Sequence, residues 1–145
     1  MKLTMYTDYS LRMLMYLALD PDQSSTIQEI ADSYGISKNH LMKVAHELGR
    51  AGYVETVRGR NGGLRLARPA DEVRLGDLIR ACETDFTLVE CFDREHNQCV
   101  LTPACNLKTI LQEALAAYFQ TLNQYTLADL LRRKAAMAQL LAIAL

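Results

Sequence analysis

Three of the chain's four cysteines, Cys91, Cys99 and Cys105, fall within fifteen residues that carry no helical or strand periodicity. Thiolates are soft metal ligands, and three of them in one loop suit a metal centre better than a structural crosslink. The spacing C-x7-C-x5-C lacks the close cysteine pairs of zinc ribbons and fingers, and Cys82 belongs to a segment of helical periodicity. An iron-sulfur cluster with one position filled by something other than cysteine is the leading expectation. Asp93, Glu95, His96 and Asn106 are the nearby candidates for that position, and in a dimer a residue of the partner chain is a further one. An iron held there by a weaker oxygen or nitrogen ligand is the natural point of attack for a small molecule. Zinc binding and a disulfide switch are the competing chemistries.

A second group of residues suits a polyanion. The net charge of −1 hides an uneven distribution: residues 37–68 hold seven basic and two acidic side chains, and residues 71–105 hold three basic and eight acidic ones. Ser37, Lys38, Asn39, His40 and Lys43 lie at the start of a helical pattern, the part that enters the major groove in helix-turn-helix proteins. Asn39 and His40 can address base edges, whereas Lys38 and Lys43 suit phosphates, which set orientation and affinity. Arg60, with Asn61 and Gly62, sits in a glycine-rich tip narrow enough to reach the minor groove, and Arg58 lies on the strand leading into it. Singly, each feature describes an ordinary solvated helix or hairpin. Their order along one chain points to double-stranded DNA.

The elements that must position these groups follow from periodicity. Leu11, Leu14, Met15, Ala18 and Leu19 predict a helix over residues 8–19 with Thr7 as N-cap, ended by Pro21. Thr26 and Glu29 have capping-box spacing for a short second helix reaching Tyr34, and Gly35 supplies the turn. Ser37 can cap a third helix whose inner face is Leu41, Val44, Ala45 and Leu48. Two β-prone runs, residues 53–58 and 64–67, flank the turn sequence GRNGG and predict a wing. Leu75, Leu78, Ile79 and Cys82 describe a fourth helix, on which Cys82 is expected as a buried structural thiol.

Beyond Pro103, Leu107, Ile110, Leu111, Ala114, Leu115, Tyr118, Leu122 and Tyr125 alternate steps of three and four, a stripe that needs a covering helix. A second copy supplies that cover, so a homodimer is expected. The fold class is mainly α with a small β-hairpin, a winged helix-turn-helix plus a long dimerisation helix. The parts are a DNA-binding domain (1–80), a cysteine loop region (81–106) and a dimerisation helix with C-terminal tail (107–145). The apolar run AAMAQLLAIAL is too short to span a bilayer and reads as the end of a packed helix or a tail needing a partner. With no signal-peptide pattern and unpaired thiols, the cytoplasm is the expected compartment and no membrane is expected. An enzyme is not expected. The sequence has no phosphate-binding glycine motif, no nucleophile paired with a base and no carboxylate pair in an expected pocket.

Four segments together, LTMYTDYSLRMLMYLA, GRNGG, LVECFD to CVLTPACNLK, and YTLADL, resemble the NsrR-type nitric-oxide-sensing repressors, relatives of the iron-sulfur regulator IscR. The likeness runs from Met1 to about Lys134. IscR-like proteins carry a histidine three residues after the last cysteine; here that position is Lys108, which favours the NsrR type. The resemblance implies Cys91, Cys99 and Cys105 as cluster ligands and Asp8, from the other subunit, as the fourth. It favours a four-iron four-sulfur cluster (4Fe-4S), with a two-iron cluster (2Fe-2S) possible. It further implies promoter DNA as partner, nitric oxide as signal and derepression of nitric-oxide detoxification genes. The alternatives are a cluster-free thiol-redox or ligand-responsive regulator and an IscR-like regulator of iron-sulfur status.

Overall fold

The computed structural model describes residues 2–60 and 62–143. Helix α1 spans Met5–Leu19 and begins a turn earlier than its apolar pattern suggests, because Thr4 rather than Thr7 is the N-cap: the Thr4 hydroxyl accepts from the Thr7 N–H. Thr7 is instead completely buried inside the first turn. The capping box of α2 (Ile27–Tyr34) forms as expected, with Thr26 and Glu29 bonding reciprocally, and Gly35 at φ +64° ends the helix in the left-handed conformation that glycine adopts without a Cβ clash. Helix α3 (Lys38–Arg50) buries Leu41, Val44, Ala45 and Leu48. Ser37 stands at its N-cap position, but against expectation its hydroxyl makes no capping bond.

The hairpin consists of β1 (Val54–Val57) and β2 (Gly63–Leu66), paired antiparallel with Val54 opposite Leu66. Ser25 exchanges backbone hydrogen bonds with Leu64 at 2.9 and 2.8 Å, which fastens the wing to the segment entering α2. Helix α4 covers Leu75–Cys82 as its pattern predicts. Leu14, Leu17, Ile30, Leu41, Leu48, Val54, Leu64, Val73, Leu78 and Leu127 form one core joining α1 to α4, the wing and the segment after the last long helix. Cys82 belongs to that core, and burial pushes its thiol pKa up against a hydrogen bond from Ser10.

Helix α5 (Asn106–Leu122) stops short of Tyr125 because its C-terminus is tied to α4. The Asn123 amide oxygen accepts from the Asp77 N–H at 3.0 Å, and Tyr125 and Val73 carbonyls accept from Leu75 and Leu127. Phe119, 2% exposed, is the anchor: Phe86 meets its edge at 4.8 Å and the Arg80 guanidinium lies 3.6 Å over its ring. Towards the other end the stripe is open, with Leu107 and Ile110 more than half exposed. Helix α6 (Lys134–Leu140) buries Ala138 and sends Leu141 and Ile143 against the core, so the apolar tail ends as a packed element; its last two residues lie outside the described ones. Among the described residues no helix is long and apolar enough to cross a membrane.

Candidate nucleic-acid interface and cysteine loop

Lys38, Asn39, His40 and Lys43 are all exposed on the first two turns of α3, opposite the stripe that enters the core. Because Ser37 leaves the first N–H groups of α3 without a side-chain cap, they remain available to an external acceptor such as a phosphate. His40 is not free on the surface: its ring stacks on Tyr9 of α1 at 6.2 Å, with 30° between the planes. Arg58 and Arg60 are exposed at the wing, Gly62 is half-buried, and Asn61 lies outside the described residues.

The basic block divides in two. Arg65 bonds Glu55 across the hairpin at 2.6 Å, Arg68 donates to the Gly52 carbonyl and lies over the Tyr53 ring, and Arg50 meets Glu47 at 3.4 Å. Those three serve the fold. Among the described residues, Lys38, Lys43, Arg58 and Arg60 have no ionic or hydrogen-bonded partner, and they all belong to α3 and the wing.

The cysteine loop runs between α4 and α5. Cys91 is in a single 3-10 turn, Glu90–Phe92; Cys99 starts a turn in which Thr102 returns N–H and hydroxyl to its carbonyl; Cys105 precedes α5. All three are half-buried free thiols, and Cys105 makes no capping bond although it stands at an N-cap position. Among the described residues no three histidine, cysteine or acidic side chains are gathered as a metal site. The donor chemistry nevertheless fits an iron-sulfur group: three uncommitted thiols sit on a segment held by short turns, with no helix or sheet pairing against their convergence. Of the other candidates, Asp93 binds the His96 ring at 2.6 Å and the Glu95 N–H, which hold its carboxyl below the usual range. Asp8 faces outward from the first turn of α1, half-exposed and paired with Arg12 at 2.8 Å.

Glu83, where the loop begins, carries a link that sequence reasoning missed. Its carboxylate accepts from the Thr4 N–H at 2.6 Å and the Thr4 hydroxyl at 3.1 Å, tying the root of the loop to the N-cap of α1, one turn from Asp8. Burial would raise its pKa, but bonds from the Thr7 hydroxyl and from both Thr4 donors outweigh that and lower it. No local spacing signals a partner 79 residues away.

The family model described as Rrf2, iron-dependent transcriptional regulator, matches residues 3–133. The chain belongs to the Rrf2 family. This Rrf2 protein is 56% identical over 131 residues to the HTH-type transcriptional regulator NsrR of Shouchella clausii, covering 90% of this chain and 88% of that one. It is 53% identical to the NsrR of Bacillus subtilis, covering 97% of each. Among solved structures it is similar to the IscR of T. potens (TM-score 0.74, 25% identity, 92% of this chain and 88% of that one) and to the oxidized form of Staphylococcus aureus CymR (TM-score 0.73, 26% identity, 91% and 97%). The resemblance to NsrR-type proteins and the winged-helix fold expected from the sequence both hold, and this Rrf2 protein is a DNA-binding transcriptional regulator.

Proposed function

We propose that the protein is a homodimeric repressor whose grip on promoter DNA depends on an iron-sulfur cluster and is released by nitric oxide, switching on nitric-oxide detoxification genes. The observation that carries this reading is the separation of the cysteines: Cys82 is sealed in the core, while Cys91, Cys99 and Cys105 are free and share one loop. Such a cluster, when bound, supplies irons that react directly with nitric oxide. In this reading Cys91, Cys99 and Cys105 are its thiolate ligands, and Asp8 of the partner subunit provides the weaker oxygen ligand. A four-iron cluster is favoured and a two-iron cluster is the variant.

The dimer is supported by the half of α5 that lacks cover: Leu107 and Ile110 are exposed, and Leu111, Leu115 and Tyr118 are only partly buried. Each such side chain contributes about 1.5–3 kcal/mol when fully buried, so burial against a second α5 is a strong driving force. Asp8 is positioned to report on the DNA-binding unit, because α1 packs on α3 and its N-cap is held by Glu83. If Asp8 holds a group carried by the partner's cysteine loop, loss of that tie would alter the spacing of the two α3 helices. A bias of about 3 kcal/mol between competent and incompetent arrangements is enough for a change of more than a hundredfold in affinity.

Lys38, Lys43, Arg58 and Arg60 meet phosphates or the minor groove in this arrangement, and Asn39 meets base edges, while His40, stacked on Tyr9, steadies the helix beside them. The test is Cys99→Ala purified without oxygen beside the parent protein. Loss of visible absorption together with loss of operator binding is expected. A colourless variant that binds its operator as the parent does would overturn cluster control.

A further inference from the structure

The tip of the cysteine loop has a surface unlike its surroundings. Between residues 85 and 105 there are four acidic side chains and one arginine, yet Val100 is 89% and Leu101 66% exposed. These two are held out by a closed turn: the Thr102 N–H and hydroxyl both donate to the Cys99 carbonyl, at 3.2 and 2.8 Å, and the Asn97 amide donates to the Thr102 hydroxyl. A preorganised apolar knob loses little entropy on docking.

A matching depression of about 210 Å³ lies between α1 and α3, lined by Met5, Tyr6, Tyr9, His40, Lys43 and Val44. Its lining is mostly apolar, Met5 is 59% exposed, and Lys43 of α3 is the one cation among the lining residues. Val100 and Leu101 are not among the residues that line it, so within one chain the knob leaves the depression open. We propose that the Val100–Leu101 tip of one protomer seats in this depression on a second copy of the chain, and thereby sets the position of that copy's recognition helix. The inference rests on the homodimer read above and adds a second, protein-only contact to it.

Two observations favour a second copy as occupant. The knob is carried on an acidic segment, and Lys43 lines the depression, so the two surfaces are complementary in charge as well as polarity. The proposed interface also runs straight into it. Val100 follows Cys99, and Met5 and Tyr9 flank Asp8 in the first turns of α1; a dimer that brings Asp8 to the partner's cysteines brings the tip to the depression. The floor of the depression is α3 itself, through His40 and Val44, and Tyr9 stacks on His40. A seated tip thus braces the recognition helix without touching DNA.

The test places the photoreactive analogue p-benzoylphenylalanine at position 101 of the full chain, purified without oxygen and irradiated. Expected is a dimer-sized crosslinked product whose joined peptide contains residues 5–9 or 40–44. In parallel, Leu101→Glu should weaken operator binding about tenfold while the protein stays dimeric and coloured, and adding Met5→Lys should restore much of that loss. Crosslinks within one chain, crosslinks to other peptides, or none from a dimeric brown protein would overturn the contact while leaving the cluster reading standing; the depression would then belong to another occupant, such as a small apolar ligand. A colourless dimer that crosslinks as expected would sustain the contact and sink the cluster reading. A monomer by sedimentation would end both.

Discussion

Arg60→Ala is a quantitative probe of the DNA-binding surface. Four cations per chain on α3 and the wing, Lys38, Lys43, Arg58 and Arg60, have no ionic or hydrogen-bonded partner among the described residues. If each meets one phosphate, a dimer makes about eight contacts, and the slope of log affinity against log salt is about −7. Between 50 and 200 mM salt the parent protein then loses about four decades of affinity. Arg60→Ala removes two contacts per dimer, so its slope should fall to about −5.5, with thermal stability unchanged because the side chain is exposed and unpaired. Arg65→Ala is the control: Arg65 is spent on Glu55 across the hairpin, so its loss should leave the slope as it was and affect stability by about 1 kcal/mol or less. Fluorescence anisotropy of a labelled operator, titrated across the salt range, reads both. An Arg60→Ala slope equal to that of the parent, or a reduced slope for Arg65→Ala, would refute this division of the basic block.

Three further outcomes follow from the fold. Gly76→Ala should destabilise by about 1–3 kcal/mol in denaturant melts, since a Cβ there collides with the Asn123 side chain and lies 3.0 Å from the Phe119 carbonyl; parental stability would show that the α4–α5 junction yields easily. Glu83→Gln should destabilise at pH 7. Because the folded pKa of Glu83 is lowered, its contribution is full above the unfolded value of about 4.3 and is lost as pH falls through the folded value, so the gap between variant and parent should close in acid; a gap that stays constant with pH would count against the carboxylate latch. Cys82→Ala should keep the visible absorption of the parent at a modest loss of stability, and a bleached variant would make Cys82 a ligand.

What could be read from the residues was mostly local. The Thr26–Glu29 box, the turn at Gly35 and the buried face of α3 are set by neighbours within a few positions, and each forms as its spacing predicts. The misplacements come from distant partners. Two threonines three residues apart competed for the cap of α1, and Thr4 holds it while bonded to Glu83, far along the chain. Helix α5 ends at Leu122 because Asn123 is engaged by α4, which no periodicity signals. Arg65 and Arg68 counted towards a basic footprint until the hairpin register set one beside Glu55 and the fold turned the other over Tyr53. For the loop, the donor chemistry of the cysteines is legible in their types and free state, whereas among the described residues they are not gathered as a metal site.

The most direct measurement is a nitric oxide titration of protein purified without oxygen, following visible absorption, iron content and operator binding in the same sample. Expected are brown, iron- and sulfide-containing dimers that hold the operator and let it go in step with bleaching. Iron-free protein that binds the operator tightly and is indifferent to nitric oxide would contradict it.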